Sequence, residues 1–212
     1  MTTEASPSER RLELVATALL ALATVATAWA AYQARQWTGE QSQGYSHATA
    51  ARIAVNRTSA VANRQVQIDV ATFIQWVDAR ERDLTRLASF YRARFREEFT
   101  PAFQAWLATK PFTNKAAPKT PFEMPQYRLQ ASDRADRLEA RAAAQSQHAK
   151  DANQRADDYT LAVVLFASAL FFAGLSTKLR TSTARFALLG LGVVVFLGAV
   201  IWLATMPTQV TT

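Results

Sequence analysis

The chain of 212 residues carries 24 Lys and Arg against 17 Asp and Glu, a formal net charge of +7 at pH 7. It contains no cysteine, which excludes disulfide frameworks and thiol chemistry. Half of its residues are hydrophobic, and they concentrate in three runs, so the chain reads as one folding unit with membrane anchors.

The first run, Leu14 to Tyr32, follows Arg10 and Arg11 and just matches the length needed to cross a bilayer. A cleaved signal peptide is the alternative, because Ala28-Trp29-Ala30 fits the small-residue cleavage pattern. The run is long for a leader, and aromatic and basic residues follow it, so we interpret it as a retained span.

One face of this first span is built from small residues, which let helices approach closely in lipid. We therefore expect the span at the centre, against other helices or other copies of the chain. A pore lined by the threonines is the alternative interpretation, and plain packing is favoured because no ionisable residue lies mid-membrane. The face comprises Thr17, Ala21, Thr24, Ala28 and Ala31.

The next segment contains Gly39 and Gly44, where the emerging helix is expected to bend or break. From Tyr45 to Thr100 there is neither glycine nor proline, which predicts one long helix over residues 45–99. Its distal half has an apolar seam at four-three spacing, typical of a coiled-coil-like stalk. That seam comprises Val66, Val70, Phe73, Val77, Leu84, Leu87 and Tyr91. The proximal half is expected to turn another face to its neighbours, with Ile53, Ala54, Ala60, Val61 and Ile68.

Arginines cluster toward the far end of this helix, and Asp78 and Arg82 are spaced to pair. A solvated helix face is the simpler interpretation of the cluster. The alternative is a patch for a partner or for anionic lipid, formed by Arg86, Arg92, Arg94 and Arg96.

Thr100-Pro101 predicts a helix start, with a short helix over Pro101 to Thr109. Lys110 to Pro125 holds four prolines and is predicted to be an extended strap that runs down the stalk. The surrounding rings form an aromatic tip, for which mutual burial is favoured over an exposed partner patch. Its principal members are Phe95, Phe99, Phe103 and Trp106.

A return helix is predicted from Gln126, without Gly or Pro until Gly174, so it continues into the second span. Its four-three positions are mostly alanine, which permits close approach to the stalk. They are Ala131, Ala135, Leu138, Ala142, Gln145, Ala149, Ala152, Ala156 and Tyr159.

The second and third spans are Tyr159 to Leu175 and Phe186 to Met206, rich in Leu, Val and Phe that suit lipid tails. The link between them, Ser176 to Arg185, carries Lys178, Arg180 and Arg185, and the positive-inside rule places it in the cytoplasm. The same rule places the N-terminus there, so residues 33–158 are expected in the periplasm or outside the cell.

The sequence predicts no catalytic or metal-binding site. His47 and His148 have no further ligands at suitable spacing. No phosphate-binding loop or hydrolase motif occurs, and no nucleic-acid module is indicated. The expectation is therefore a non-enzymatic chain without cofactor or metal, with membrane lipids, further copies of itself and an unknown periplasmic partner as its contacts.

Parts of the chain resemble uncharacterised bacterial membrane proteins. The resemblance implies an inner-membrane protein with one N-terminal span, a long helical middle and a C-terminal pair of spans. It implies no activity and assigns no functional residue. It rests on residues 90–91, 94–103, 105–109, 120–125, 152–157 and 171–174.

The predicted class is an all-α membrane protein with three transmembrane helices and an antiparallel helical stalk. The leading functional expectation is a homo-oligomeric structural, scaffold or sensor protein, and the alternative is an ion channel. The predicted segments are a cytoplasmic N-terminus (1–13), span one (14–32), a stalk (33–158), span two (159–175), a cytoplasmic loop (176–185), span three (186–206) and a tail (207–212). Within the stalk they are the long helix (45–99), the tip and strap (100–125) and the return helix (126–158).

Overall fold

The computed structural model describes residues 7–179 and 181–209, and within these ranges the chain is helical with no strand. The all-α prediction is confirmed. The outermost parts of the predicted N-terminus and tail, and the loop cation Arg180, lie outside the described residues. The helices are α1 (Pro7–Glu81), α2 (Thr85–Arg92), α3 (Thr100–Ala108), α4 (Gln130–Ser176) and α5 (Ser182–Ala204), with a 3₁₀ turn at Pro121–Glu123.

Three of these helices, α1, α4 and α5, are long and apolar enough to cross a membrane. The described chain divides into two compact units. The first unit comprises the residues up to Ser46 together with those from Gln145 onward, and the second comprises His47–Ala144.

The glycines of α1 do not break it, contrary to the prediction, because α1 continues through both Gly39 and Gly44. Gly44 has a packing role instead. A Cβ built on it would lie 2.9 Å from the Cβ of Ala149 on α4, so the glycine lets the two helices approach closely. Gly39, by contrast, has no described atom within 4 Å of its Cβ position beyond its own helix backbone and chain neighbours.

The predicted helix over 45–99 is wrong at its far end, because α1 stops at Glu81. Asp83 adopts the left-handed conformation with φ of 57°, the position that glycine usually takes after a helix. The Leu84 N–H donates to the Ala79 carbonyl at 2.8 Å, and the Asp83 N–H donates to Arg80 at 3.1 Å. These two bonds form a Schellman motif that satisfies the last carbonyls of α1.

Within the single chain, the first unit is packed around α4 rather than around α1, and a central place of the first span among several copies stays a prediction. The α4 side chains of Tyr159 and Phe166 are fully buried. Among the most apolar stretches of α1, α4 and α5, the stretch in α4 has the largest fraction of buried residues. On α5, a Cβ at Gly192 would lie 3.3 Å from the carbonyl oxygen of Ala169. Small residues on α4 and α5 therefore bring these two backbones together.

Within the single chain, α1 packs through a face other than the small-residue face, and packing of that small-residue face against other copies stays a prediction. In the first unit its buried residues include Ala16, Ala23, Ala30 and Trp37, spaced seven apart. Seven residues make nearly two helical turns, so these side chains form one stripe toward α4 and α5. The predicted small-residue face lies on the other side of α1 and is exposed.

The second unit has an aromatic core between the end of α1, α3 and the turns around them. The proximal face predicted on α1 is only partly covered in the single chain. Ile53, Val61 and Ile68 are 48%, 45% and 47% exposed, whereas Ala54 is half-buried. The small residues Ala51 and Ala62 are buried there instead.

The segment after α3 runs back along α1 as predicted, with Phe112 at Arg80, Phe122 at Phe73 and Tyr127 at Asp69, but its conformation and the fold-back before it differ from the prediction. After α1 the chain folds back through α2 and the turns of residues 93–99, so that Arg96 lies beside Asp69. The predicted strap is a series of turns with the 3₁₀ segment rather than a polyproline stretch. The return helix begins at Gln130 and not at Gln126. All nine predicted positions of its alanine seam are buried or half-buried, as the spacing indicated.

Candidate functional site

The predicted pore or packing face of α1 is solvent-exposed in the single chain. Thr17, Thr24 and Ala28 are all exposed. The Thr17 hydroxyl donates to the Glu13 carbonyl at 2.8 Å, and the Thr24 hydroxyl donates to Leu20 at 2.7 Å. Each hydroxyl is therefore hydrogen-bonded within its own helix, and α4 and α5 do not cover this face.

The aromatic tip is a packed core rather than a partner surface. Phe99 is 0% exposed and Phe103 is 1% exposed, and Phe95 and Trp106 are buried beside them. The Trp106 Nε1–H donates to the Pro118 carbonyl at 2.8 Å, which attaches the proline-rich segment to this core. The rings meet mostly edge to face, the arrangement that the aromatic quadrupole favours.

The four arginines of the predicted basic patch do not form one surface. Arg96 is bound in a partly buried network, and Arg92 lies over the ring of Phe103 at 5.9 Å. Arg94 lies over Phe90 at 3.3 Å, and Arg86 is exposed on α2. Arg86, Arg92 and Arg94 are exposed, and Arg96 is withdrawn from the predicted patch by its partly buried ion pairs. The predicted surface pair of Asp78 and Arg82 is present at 2.9 Å.

α2 presents a largely exposed apolar face, although the Arg94 guanidinium lies over the Phe90 ring at its edge. None of the residues of α2, all of which are described, is buried. Leu84, Leu87 and Phe90 are 47%, 39% and 48% exposed and are spaced three apart, so they share one side. They form a shallow surface with Thr85 and Arg86. We call this surface the α2 face.

A buried polar network in the second unit was not predicted from the sequence. Asp69 is fully buried, and its Oδ2 accepts from the Arg96 guanidinium at 2.8 Å and from the Tyr127 hydroxyl at 3.0 Å. Arg96 also pairs with Glu98, whose other carboxylate oxygen accepts from the Gln130 N–H at 2.9 Å. The network therefore joins α1, the turn before α3 and the first residue of α4.

The protonation of this network follows from its burial. Burial raises the pKa of Asp69, although the hydrogen bonds and charge of Tyr127 and Arg96 act against that rise. Burial and the nearby Asp69 raise the pKa of Tyr127, so its hydroxyl stays a donor at physiological pH. The Asp69 carboxyl group is enclosed by protein. The network is therefore better suited to joining α1 to the segments around it than to acid–base chemistry on a substrate.

The signal for this network was present in the sequence at Asp69. Ala62, Asp69 and Trp76 are spaced seven apart, and all three are buried on α1. A carboxylate in an otherwise apolar stripe is rarely buried without a partner. Its partners, Arg96 and Tyr127, are far away in the sequence, so only the fold identifies them.

A second buried polar group attaches the segment after α5 to the first unit. The Gln33 side chain is fully buried, donates to the Gln209 carbonyl at 3.1 Å and accepts from the Gln209 N–H at 3.0 Å. The Tyr159 hydroxyl donates to the Pro207 carbonyl at 3.1 Å. These contacts hold residues 207–209 against α1 and α4.

No group of three or more His, Cys, Asp or Glu side chains suited to a metal ion occurs in the part of the chain that the structure describes. His148 has its Nε2 3.8 Å from a Glu40 carboxylate oxygen. Comparisons with protein families, with curated proteins and with solved structures find no match for this chain.

Proposed function

We propose that the chain is a non-enzymatic, multi-pass protein of the bacterial inner membrane. In this proposal it self-associates through the exposed small-residue face of α1 and presents its second unit to a periplasmic partner, in a scaffold or sensor role. The presence of three helices long and apolar enough to span a membrane supports the membrane assignment.

The observation that carries the self-association is the exposure of Thr17, Thr24 and Ala28 on the side of α1 away from α4 and α5. In lipid, helices associate mainly through close van der Waals packing of small residues, since lipid tails are as apolar as leucine. A second α1 brought against this face would gain such packing. The threonine hydroxyls, already bonded to their own helix, need no new partner.

The α2 face supports the proposal of a periplasmic partner. Its leucines and Phe90 are exposed on a short helix of a compact unit, and Arg86 and Arg94 flank them. An apolar centre with a basic edge suits a partner that has an apolar patch bordered by carboxylates.

Single cysteines test the self-association, because the chain contains none of its own. In oxidised membranes, Ala28→Cys should form disulfide-linked dimers, whereas Val164→Cys, on an exposed side of α4, should remain monomeric. Adding Thr24→Leu to Ala28→Cys should reduce the dimer, because a bulky side chain separates the helices. Monomer alone for Ala28→Cys, together with monomer alone by mass analysis in mild detergent, would refute the self-association.

The channel alternative uses the same face in a ring of copies, with the oxygens of Thr17 and Thr24 toward the axis. Recordings from purified protein in planar bilayers separate the two functions. We expect no current under voltage or tension, and a conductance reduced by Thr24→Leu would instead favour the channel.

A further inference from the structure

The first unit has an apolar groove between the start of α1 and the first half of α5. Its volume is about 910 Å³, and its walls include Leu12 and Val15 of α1 with Phe186 and Val193 of α5. This is within the range of roughly 300–1,000 Å³ that small-molecule sites occupy. Of its described lining residues, Arg11 alone is charged.

Gly190 forms the floor of the groove. It lines the groove, and beyond its own helix backbone and chain neighbours no described atom lies within 4 Å of the position that its Cβ would take. The neighbouring Leu189 is only 6% exposed and packs in a core cluster with Ala16, Leu19 and Ala173. The floor is therefore backed by packed side chains, while the space above Gly190 remains open.

The groove opens toward the medium around the helices, and that medium determines which molecule fills it. Phe186 and Val194 are 53% and 68% exposed at its edge, so the groove opens outward from the helices. If α1 and α5 cross a bilayer, this opening faces acyl chains, which are the solvent there. An acyl chain therefore fills the groove rather than water, because an apolar groove offers water almost no hydrogen-bond partner.

The charge at the groove favours an anionic headgroup. Arg11 lines the groove, Arg10 precedes it in the chain, and Arg185 precedes Phe186. A guanidinium stays charged and binds phosphate oxygens in pairs. Glu13, two residues from Arg11 on the helix, is not among the described lining residues. Basic pockets between transmembrane helices at the cytoplasmic side are suited to anionic lipid.

We propose that this groove binds one anionic phospholipid, with an acyl chain above Gly190 and the phosphate at Arg11. This inference rests on the proposed insertion of α1 and α5 in a membrane. It adds a specific lipid site to that insertion, which by itself requires only general contact with lipid.

Two variants and a matched control test the site. Gly190→Leu fills the floor, and Arg11→Gln removes the phosphate ligand while keeping a similar side-chain length. Gly198→Leu is the control, because Gly198 also lies on α5 and does not line the groove. Beyond its own helix backbone and chain neighbours, no described atom lies within 4 Å of its Cβ position.

The measurement is native mass spectrometry of the full chain in mild detergent, titrated with phosphatidylglycerol or with phosphatidylcholine of the same acyl chains. Wild type and Gly198→Leu should retain one phosphatidylglycerol about tenfold more tightly than phosphatidylcholine. Arg11→Gln should lose this preference but retain weak binding of both lipids. Gly190→Leu should lose the single tight adduct for both.

Equal retention of the two lipids by the wild type would overturn the proposal, as would a tight adduct that persists in Gly190→Leu. Carbonate extraction of the same membranes separates this failure from failure of the proposed function. Protein that resists extraction but shows no lipid preference refutes the lipid site alone. Protein that is released by carbonate refutes the membrane assignment, and the lipid site with it.

Discussion

At the scale of single residues, the second unit depends on a few buried polar groups. Asp69, Arg96, Tyr127 and Glu98 satisfy most of one another's hydrogen bonds. Removing one member leaves the others buried without a full set of partners, which costs more than the net value of the bond that is lost. Asp69 already has one oxygen, Oδ1, that is buried without a hydrogen-bond partner among the described residues.

Tyr127→Phe is expected to destabilise the second unit by about 1–3 kcal/mol, because the hydroxyl donates to a carboxylate. The matched control is Tyr91→Phe, whose hydroxyl lies 3.5 Å from Gln75 in an exposed position and should change stability by less than about 0.5 kcal/mol. Chemical unfolding followed by tryptophan fluorescence provides the measurement, since Trp76 and Trp106 lie in the adjacent core. Equal effects of the two substitutions would contradict a structural role for the network.

The raised pKa of Asp69 predicts the direction of a pH effect. The folded state holds the Asp69 proton above the ordinary pKa of 3.8, so its contribution to stability is complete below that pH. The contribution is then lost as the pH rises through the folded-state pKa. Asp69→Asn cannot ionise and should lack this loss.

Unfolding free energies measured from pH 4 upward for wild type and Asp69→Asn check this effect. The wild-type value should fall relative to that of the variant as the pH rises. A difference between the two that does not change with pH would show that Asp69 titrates alike in the folded and unfolded chains.

At the scale of helices, the residues at Gly44 and Asp83 show why α1 continues at one position and ends near the other. Gly44 lies inside a helix because a neighbouring helix needs the space. Asp83 ends a helix although it is not glycine, because aspartate tolerates the left-handed conformation better than most residues. A prediction of helix ends that uses Gly and Pro alone is therefore wrong both at Gly44 and at Asp83.

Gly44→Ala and Gly39→Ala should change stability in opposite directions. Alanine favours a helix by about 1 kcal/mol over glycine, and at Gly39 no described atom opposes it, so that variant should be more stable. At Gly44 the new Cβ would meet Ala149 at 2.9 Å, and overpacking should cost about 1–3 kcal/mol. Thermal unfolding in mild detergent compares the two, and a stabilised Gly44→Ala would show that α1 and α4 separate there at little cost.

At the scale of the whole molecule, the proposed orientation has a direct test. The positive-inside rule places residues 33–158 outside the cytoplasm and the loop after α4 inside it. Lys119 and Lys178 are both exposed, and the chain has no cysteine of its own. Lys119→Cys should therefore react with a membrane-impermeant maleimide on intact spheroplasts, and Lys178→Cys only after permeabilisation. The reverse pattern would invert the orientation.

The sequence alone determined the helical class, the three apolar helices and the alanine seam of α4. These features follow from local periodicity and from runs of apolar residues, which do not depend on residues distant in the sequence. The seam from Ala131 to Tyr159 was predictable because alanine recurs there at helical spacing for many turns.

Only the tertiary structure decided which side of α1 packs, where α1 ends and what surrounds Asp69. Both sides of the first span are apolar and rich in small residues, so periodicity cannot choose between the stripe of Ala16, Ala23 and Ala30 and the face of Thr17 and Thr24. The choice depends on the shapes of α4 and α5. The partners of Asp69 come from segments 27 and 58 residues away, and no local pattern encodes such a distance.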